Sequence, residues 1–112
     1  MTPHQKRRFP EKVEFITSAG FMSGRGERAR AGLRGGGMLA VVTDHGILEP
    51  DERGEMILTA LHSGKTVDEA RLNTGWELKI ADQIRATPAV TQRELDILRG
   101  ELDPSGIYLS SV

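Results

Sequence analysis

Apolar and polar positions along the chain alternate in short runs, cut apart by glycine-rich or charged punctuation. Val13–Thr17 (VEFIT) alternates with a period of two and carries β-branched residues, which predicts a short strand. Leu39–Thr43 (LAVVT) is a continuous apolar run, the pattern of a strand buried on both faces, and Ile47-Leu48 continue it beyond Asp44-His45-Gly46. Glu49–Gly54 is a polar turn broken by Pro50 and Gly54, and Met56–Leu61 (MILTAL) resumes as a strand. The spacing predicts an antiparallel hairpin between residues 39–48 and 56–61.

The period then changes. Thr66 with Glu69 three residues on is the spacing of a capping box, which predicts a helix packing Val67, Ala70 and Arg71 on one face, with Leu72 beside them. Gly75 is placed for a left-handed stop after Asn73-Thr74. Trp76–Ala81 (WELKIA) puts Trp76, Leu78 and Ile80 on one side of a returning strand. A second capping box, Thr91 and Glu94, opens a helix through about Leu102, with Leu95, Leu98 and Leu102 at helical spacing. Asp103–Gly106 is a turn, and the last residues are expected to be loosely held. The elements predict an α/β chain: a partial open sheet with short helices and a mixed or antiparallel hairpin element.

Length and composition narrow this reading. A chain of 112 residues holds a single domain at most, residues 1–112. Only 4% of residues are aromatic, so the core must be built from aliphatic side chains. Residues 1–10 are expected to be flexible. Gly20–Gly37 contains seven glycines and four arginines, so residues 22–37 are expected to form a Gly/Arg-rich loop with one helical turn around Glu27–Ala31. With no cysteine, disulfides and thiolate metal sites are excluded. No apolar run reaches the roughly 18–20 residues of a membrane span, and the basic Lys6-Arg7-Arg8 is not followed by an apolar stretch. A cytoplasmic chain with no membrane partner is expected. Residues 1–37 carry eight Lys/Arg against three Asp/Glu, and residues 38–112 carry seven against thirteen. A basic front and acidic back suit a phosphate-bearing ligand or a complementary subunit face.

Thr17, Ser18, Gly20 and Phe21 follow the first expected strand, where open α/β sheets bind ligands. Arg25 and Arg28, with Arg30 and Arg34, offer guanidinium groups to phosphates. No aromatic is interleaved between Arg25 and Gly37, which disfavours nucleic acid as the partner. His45 and His62 each stand alone near turns, and no metal-ligand spacing is present. Ser63 and Ser105 have no histidine–carboxylate company that would make a nucleophile.

Four ordered blocks carry a resemblance: KVEFITSAGF (Lys12–Phe21), GGGMLAVVTDHGILE (Gly35–Glu49), Gly54–Gly75 followed by Trp76 and Leu78, and TQRELDILRGELDP (Thr91–Pro104). Together, over about residues 9–109, they resemble the C-terminal portion of the β subunit of class I coenzyme A transferases, on the glutaconate and 3-oxoadipate branch. The resemblance implies an α/β fold in a complex of α and β subunits. It also implies coenzyme A or acyl-CoA as substrate, with no bound cofactor and no metal. In that family a β-subunit glutamate attacks the thioester and CoA passes to a free carboxylate. The segment bearing that glutamate precedes the matched region, so the resemblance gives no catalytic residue here, and Glu27, Glu49, Glu55 and Glu69 do not inherit the role. The implied partner is an α subunit or a missing N-terminal half, with homo-oligomer formation through unpaired strand edges as a further expectation. The alternatives are a hydrolase subunit of the same family that lacks the glutamate, or a non-catalytic scaffold.

Overall fold

The computed structural model describes residues 1–108 of the chain; the expected loosely held C-terminal residues, 109–112, lie outside it. A single turn of helix, α1 (Glu27–Arg30), precedes β1 (Val41–Val42), β2 (Gly46–Pro50) and β3 (Met56–Leu61). Helix α2 (Val67–Leu72), β4 (Ile80–Ala86) and α3 (Gln92–Ile97) follow, and α3 runs into a π-helical turn, Leu98–Leu102. The four strands form one open sheet in the order β1-β2-β3-β4. β1/β2 and β2/β3 are antiparallel, whereas β3/β4 is parallel because α2 carries the chain back across the sheet. The expected α/β class, mixed pairing and short helices are all present.

Leu48, Leu58, Ala70 and Leu78 form the fully buried centre, and Trp76, Val67, Met56 and Ile84 pack against it. Helix α2 is only six residues long, too short to be stable by itself. Its capping box closes reciprocally: Thr66 Oγ1 accepts from the Glu69 amide at 3.2 Å, and a Glu69 carboxylate oxygen accepts from the Thr66 amide at 2.9 Å. Ala70 is buried against the sheet, whereas Leu72 is exposed. Thr66→Ala is expected to lower stability by about 1 kcal/mol, read as a lower urea midpoint at unchanged slope; an unchanged midpoint would show that packing alone holds α2.

Several expected elements are redrawn. Val13–Thr17 is not a strand: no described segment pairs with it, and Phe15 and Ile16 are 80% and 72% exposed. Alternation marks which side chains would share a face but supplies no hydrogen-bonding neighbour. Residues 39–48 are not one strand either, because the chain reverses at Thr43–Gly46 and folds β1 onto β2. Only β2 then pairs with β3, and β1 lies at the sheet edge instead of being buried on both faces. Gly75 is not in the left-handed region. It is needed because a Cβ there would stand 2.7 Å from the Phe9 carbonyl oxygen and the Glu11 nitrogen. β4 begins at Ile80 and continues through the polar Asp82-Gln83, an edge strand whose solvated positions break the apolar pattern.

The N-terminal residues, expected to be flexible, are tied down. Thr2 bridges to Thr43, and the Gly75 amide donates to the Phe9 carbonyl at 2.8 Å. His4 is 1% exposed. The described molecule is nonetheless spread out, with a radius of gyration of 16.7 Å, against about 13 Å for a closed domain of this length. Val13–Ile16 are exposed and join no sheet.

Candidate functional site

The Gly/Arg loop is ordered by its own side chains. Gly26, at φ 76°, leads into α1, and Glu27 accepts the Ser23 amide at 2.8 Å; the Ser23 hydroxyl first, and then that amide, hold its carboxyl below the usual carboxylate range. Arg28 gathers the loop around itself. Its guanidinium donates to the carbonyls of Gly20 (2.8 Å), Arg34 (2.7 Å) and Gly35 (3.3 Å). Arg30 donates to the Arg25 carbonyl at 2.8 Å.

This loop rests on the β2–β3 turn, and between them lies an open cavity of about 360 Å³. Phe21, Met38, Leu39 and Pro50 give it an apolar wall, and Arg25, Arg28 and Arg53 border it with positive charge. Phe21 is held by two glycines: a Cβ at Gly37 would fall 2.6 Å from its ring, and one at Gly54 would fall 3.3 Å from its Cγ. The structure therefore brings Phe21, Arg25 and Arg28 together. Gly20 is joined to them through its carbonyl. Thr17 and Ser18 are exposed and stand outside the cavity, and they follow no strand. Arg53 was not singled out by the sequence; it sits in a turn whose charged residues all look like solvated surface.

The carboxylates near the sheet are occupied. Glu49 pairs with Arg85 and accepts from Thr59, and Glu55 pairs with Lys79. Asp51 accepts the amides of Glu55 (2.8 Å) and Arg53 (2.9 Å), which hold its carboxyl below the usual range, Glu55 foremost. Glu69 is taken up by its cap, with the same effect.

All three histidines meet around the β1–β2 turn, contrary to the expectation that His45 and His62 stand alone. His4 Nε2 lies 2.8 Å from Thr74 Oγ1, and Nδ1 lies 3.2 Å from Thr43 Oγ1. Thr74 Oγ1 donates to the Ala70 carbonyl, so it accepts from His4 Nε2–H; the single Thr43 hydroxyl proton lies within reach of both the Gly46 carbonyl (3.0 Å) and His4 Nδ1. The ring stacks on Phe9 at 4.6 Å between centroids and meets His45 edge-on at 5.3 Å. Asp44 accepts the His4 amide at 2.6 Å and contacts His45 Nδ1 at 2.9 Å. His62 Nε2 donates to the Thr43 carbonyl at 2.9 Å, so its Nδ1 accepts from Thr87. With the His4 nitrogens turned to hydroxyls, His45 Nδ1 to Asp44 and His62 to a hydroxyl and a carbonyl, this cluster is a fastening between the N-terminal segment, α2 and the sheet. Nothing in the spacing of residues 4, 43, 45 and 74 announced it.

Sequence and fold make the chain a relative of the CoA-transferase β subunits. It is 43% identical over 94 residues to the β subunit of 3-oxoadipate CoA-transferase of Pseudomonas knackmussii, a match covering 83% of this chain and 36% of that protein. It is 36% identical over 114 residues to the β subunit of glutaconate CoA-transferase of Acidaminococcus fermentans, covering 97% of this chain and 41% of that protein. The crystal structure of glutaconate coenzyme A-transferase from A. fermentans matches at a TM-score of 0.85 and 35% identity, over 96% of this chain and 42% of that one. Rhodococcus jostii RHA1 IpdAB shares the fold at a TM-score of 0.72 and 23% identity, over 96% of this chain and 43% of that one. No family model matches the chain. The chain spans about two fifths of the length of the relatives it matches.

Proposed function

We propose that the chain is part of a CoA-transferase β subunit and contributes to moving coenzyme A from an acyl-CoA thioester to a free carboxylate. The supporting observation is that sequence identity and fold agree, along nearly the whole chain, with proteins named for this reaction. In this reading the remainder of the β subunit supplies the carboxylate nucleophile, and a companion α subunit completes the site. Coenzyme A enters as substrate. Phe21 and Arg25 border the bound molecule, Arg28 and the Gly20 carbonyl hold the loop in place, and Thr17 and Ser18 offer hydroxyls on the approach. A cytoplasmic setting and self-association through open strand edges belong to the same proposal. Sedimentation at rising concentration checks the latter, and a monomer throughout removes it.

The decisive experiment replaces the matching segment of the A. fermentans glutaconate CoA-transferase β subunit with this chain and co-expresses the graft with the companion α subunit. The assembled complex is expected to transfer CoA within about tenfold of the unmodified rate, a barrier change of about 1.4 kcal/mol. The 112-residue chain alone is expected to transfer none. A folded, assembled graft without transfer, or turnover by the isolated chain, would overturn the reading.

A further inference from the structure

The cavity beside the Gly/Arg loop continues past Arg25 and Arg53 into a second, polar hollow bordered by Ser23, Glu55 and Lys79. Gly24, Arg25, Arg53 and Gly54 border both. Two arginines thus stand on a ridge between an apolar lobe and a polar one. Their backbones are locked together: the Arg25 amide donates to the Arg53 carbonyl at 2.8 Å, and a Cβ at Gly24 would fall 2.2 Å from that same oxygen.

Among the described residues, neither guanidinium takes part in a hydrogen bond or close ion pair, and Arg53 feels Asp51 only at longer range. Arg28, by contrast, donates from each of its three nitrogens to a backbone carbonyl. Arg25 also sits at φ 51°, between Gly24 at 74° and Gly26 at 76°. Glycine would adopt that conformation without strain, so the side chain is kept against a conformational cost, a mark of sites where the side chain acts. Three carboxylates lie nearby. Asp51 is turned to backbone amides and meets Arg53 only at longer range, Glu55 is turned to Lys79, and Glu52 lines the cavity beside the two uncommitted cations.

We propose that the Arg25–Arg53 ridge is an oxyanion-binding site, which holds a phosphate or carboxylate group while the ligand's apolar body lies along Phe21 and Leu39. This rests on the transferase reading for the ligand's identity, since an acyl-CoA and an acceptor acid both carry such groups. The ridge itself rests on geometry alone. Arginine pairs suit either anion because the planar guanidinium donates two parallel hydrogen bonds.

Calorimetric titration of the 112-residue chain at low salt with coenzyme A, adipate and neutral pantetheine tests this. At least one anion is expected to bind and pantetheine to bind far more weakly, with affinity falling as salt is added. Binding by coenzyme A alone assigns the ridge to phosphate; binding by adipate alone assigns it to carboxylate. Arg25→Gln and Arg53→Gln are each expected to weaken binding about tenfold, the scale of one charge-assisted hydrogen bond, with thermal unfolding unchanged. Arg93→Gln, on α3, is expected to bind as the unaltered chain does. Failure of both anions to bind, or unaltered affinity in both ridge variants, would overturn the proposal. Ridge-dependent binding together with an inactive graft would sink the transferase reading alone. An active graft indifferent to Arg25 and Arg53 would sink the ridge alone.

Discussion

Gly46→Ala is expected to cost about 3 kcal/mol or more, at the top of the range for overpacking, and to abolish cooperative unfolding if the whole sheet is lost. The position opens β2, directly after the reversal that lays β1 onto it. A Cβ built there falls 2.0 Å from the Ala60 carbonyl oxygen, 3.1 Å from the Ala60 carbonyl carbon and 3.2 Å from Leu61 Cα. All three are backbone atoms of β3, and β3 cannot retreat because it is paired on its other side with β4. The turn cannot give way either. Thr43 Oγ1 accepts both the His45 and Gly46 amides at 3.1 Å, and the Thr43 amide donates back to the Gly46 carbonyl. Gly36→Ala, where a Cβ meets nothing within 4 Å, is the control and is expected to change stability by no more than about 0.5 kcal/mol. Urea unfolding followed by circular dichroism separates them. Equal midpoints for the two variants would show that the β2–β3 contact is looser than the backbone distances require.

Gly46 also shows where sequence reasoning stopped. Asp44-His45-Gly46 is visible as punctuation, yet nothing local tells whether the chain pauses or reverses there. Capping boxes are local chemistry within four residues, and both were legible at Thr66–Glu69 and Thr91–Glu94. The inward set Trp76, Leu78 and Ile80 was legible too, because burial of alternate side chains leaves a periodic trace even where the backbone is not yet a strand. Strand pairing leaves no such trace. VEFIT has the right alternation and no neighbour, whereas β4 has a neighbour and only half the alternation. The cavity was half legible for the same reason. Phe21, Arg25 and Arg28 lie in one loop whose composition is conspicuous, but Arg53 comes from a turn 25 residues beyond Arg28 and joins them only through tertiary contact. His4 was the hardest to foresee. Its partners Thr43 and Thr74 come from β1's end and α2's end, 39 and 70 residues away.

His4→Ala is therefore expected to test the fastening that holds the N-terminal segment to the sheet, at a cost of about 3 kcal/mol, in the range for emptying a buried aromatic-sized site. The removed ring takes with it the stacking on Phe9 and the hydrogen bonds at Thr43 and Thr74, although each hydroxyl keeps a backbone carbonyl to bond. Trp76, the only tryptophan, lies with its ring centroid 6.3 Å from Phe9, so its fluorescence reports the segment's departure. The same ring gives the stability a pH dependence. Burial, reinforced by His45, pushes the His4 pKa below its ordinary value, while Asp44 opposes this. The unfolded chain then binds a proton at higher pH than the folded one. Stability is full above the ordinary histidine value of about 6.5 and is lost as pH falls through that value towards the lowered folded one. The Asp44 carboxyl, held below the usual carboxylate range first by its contact with His45, acts in a separate window: its contribution is lost only at more acid pH, below about 4. Thermal unfolding of the unaltered chain is thus expected to shift downward between about pH 7 and pH 5, and that part of the shift is expected to vanish in His4→Ala. Persistence of the full shift in the variant would assign it to another group, and a variant as stable as the unaltered chain would show that the segment is held by its backbone contacts alone.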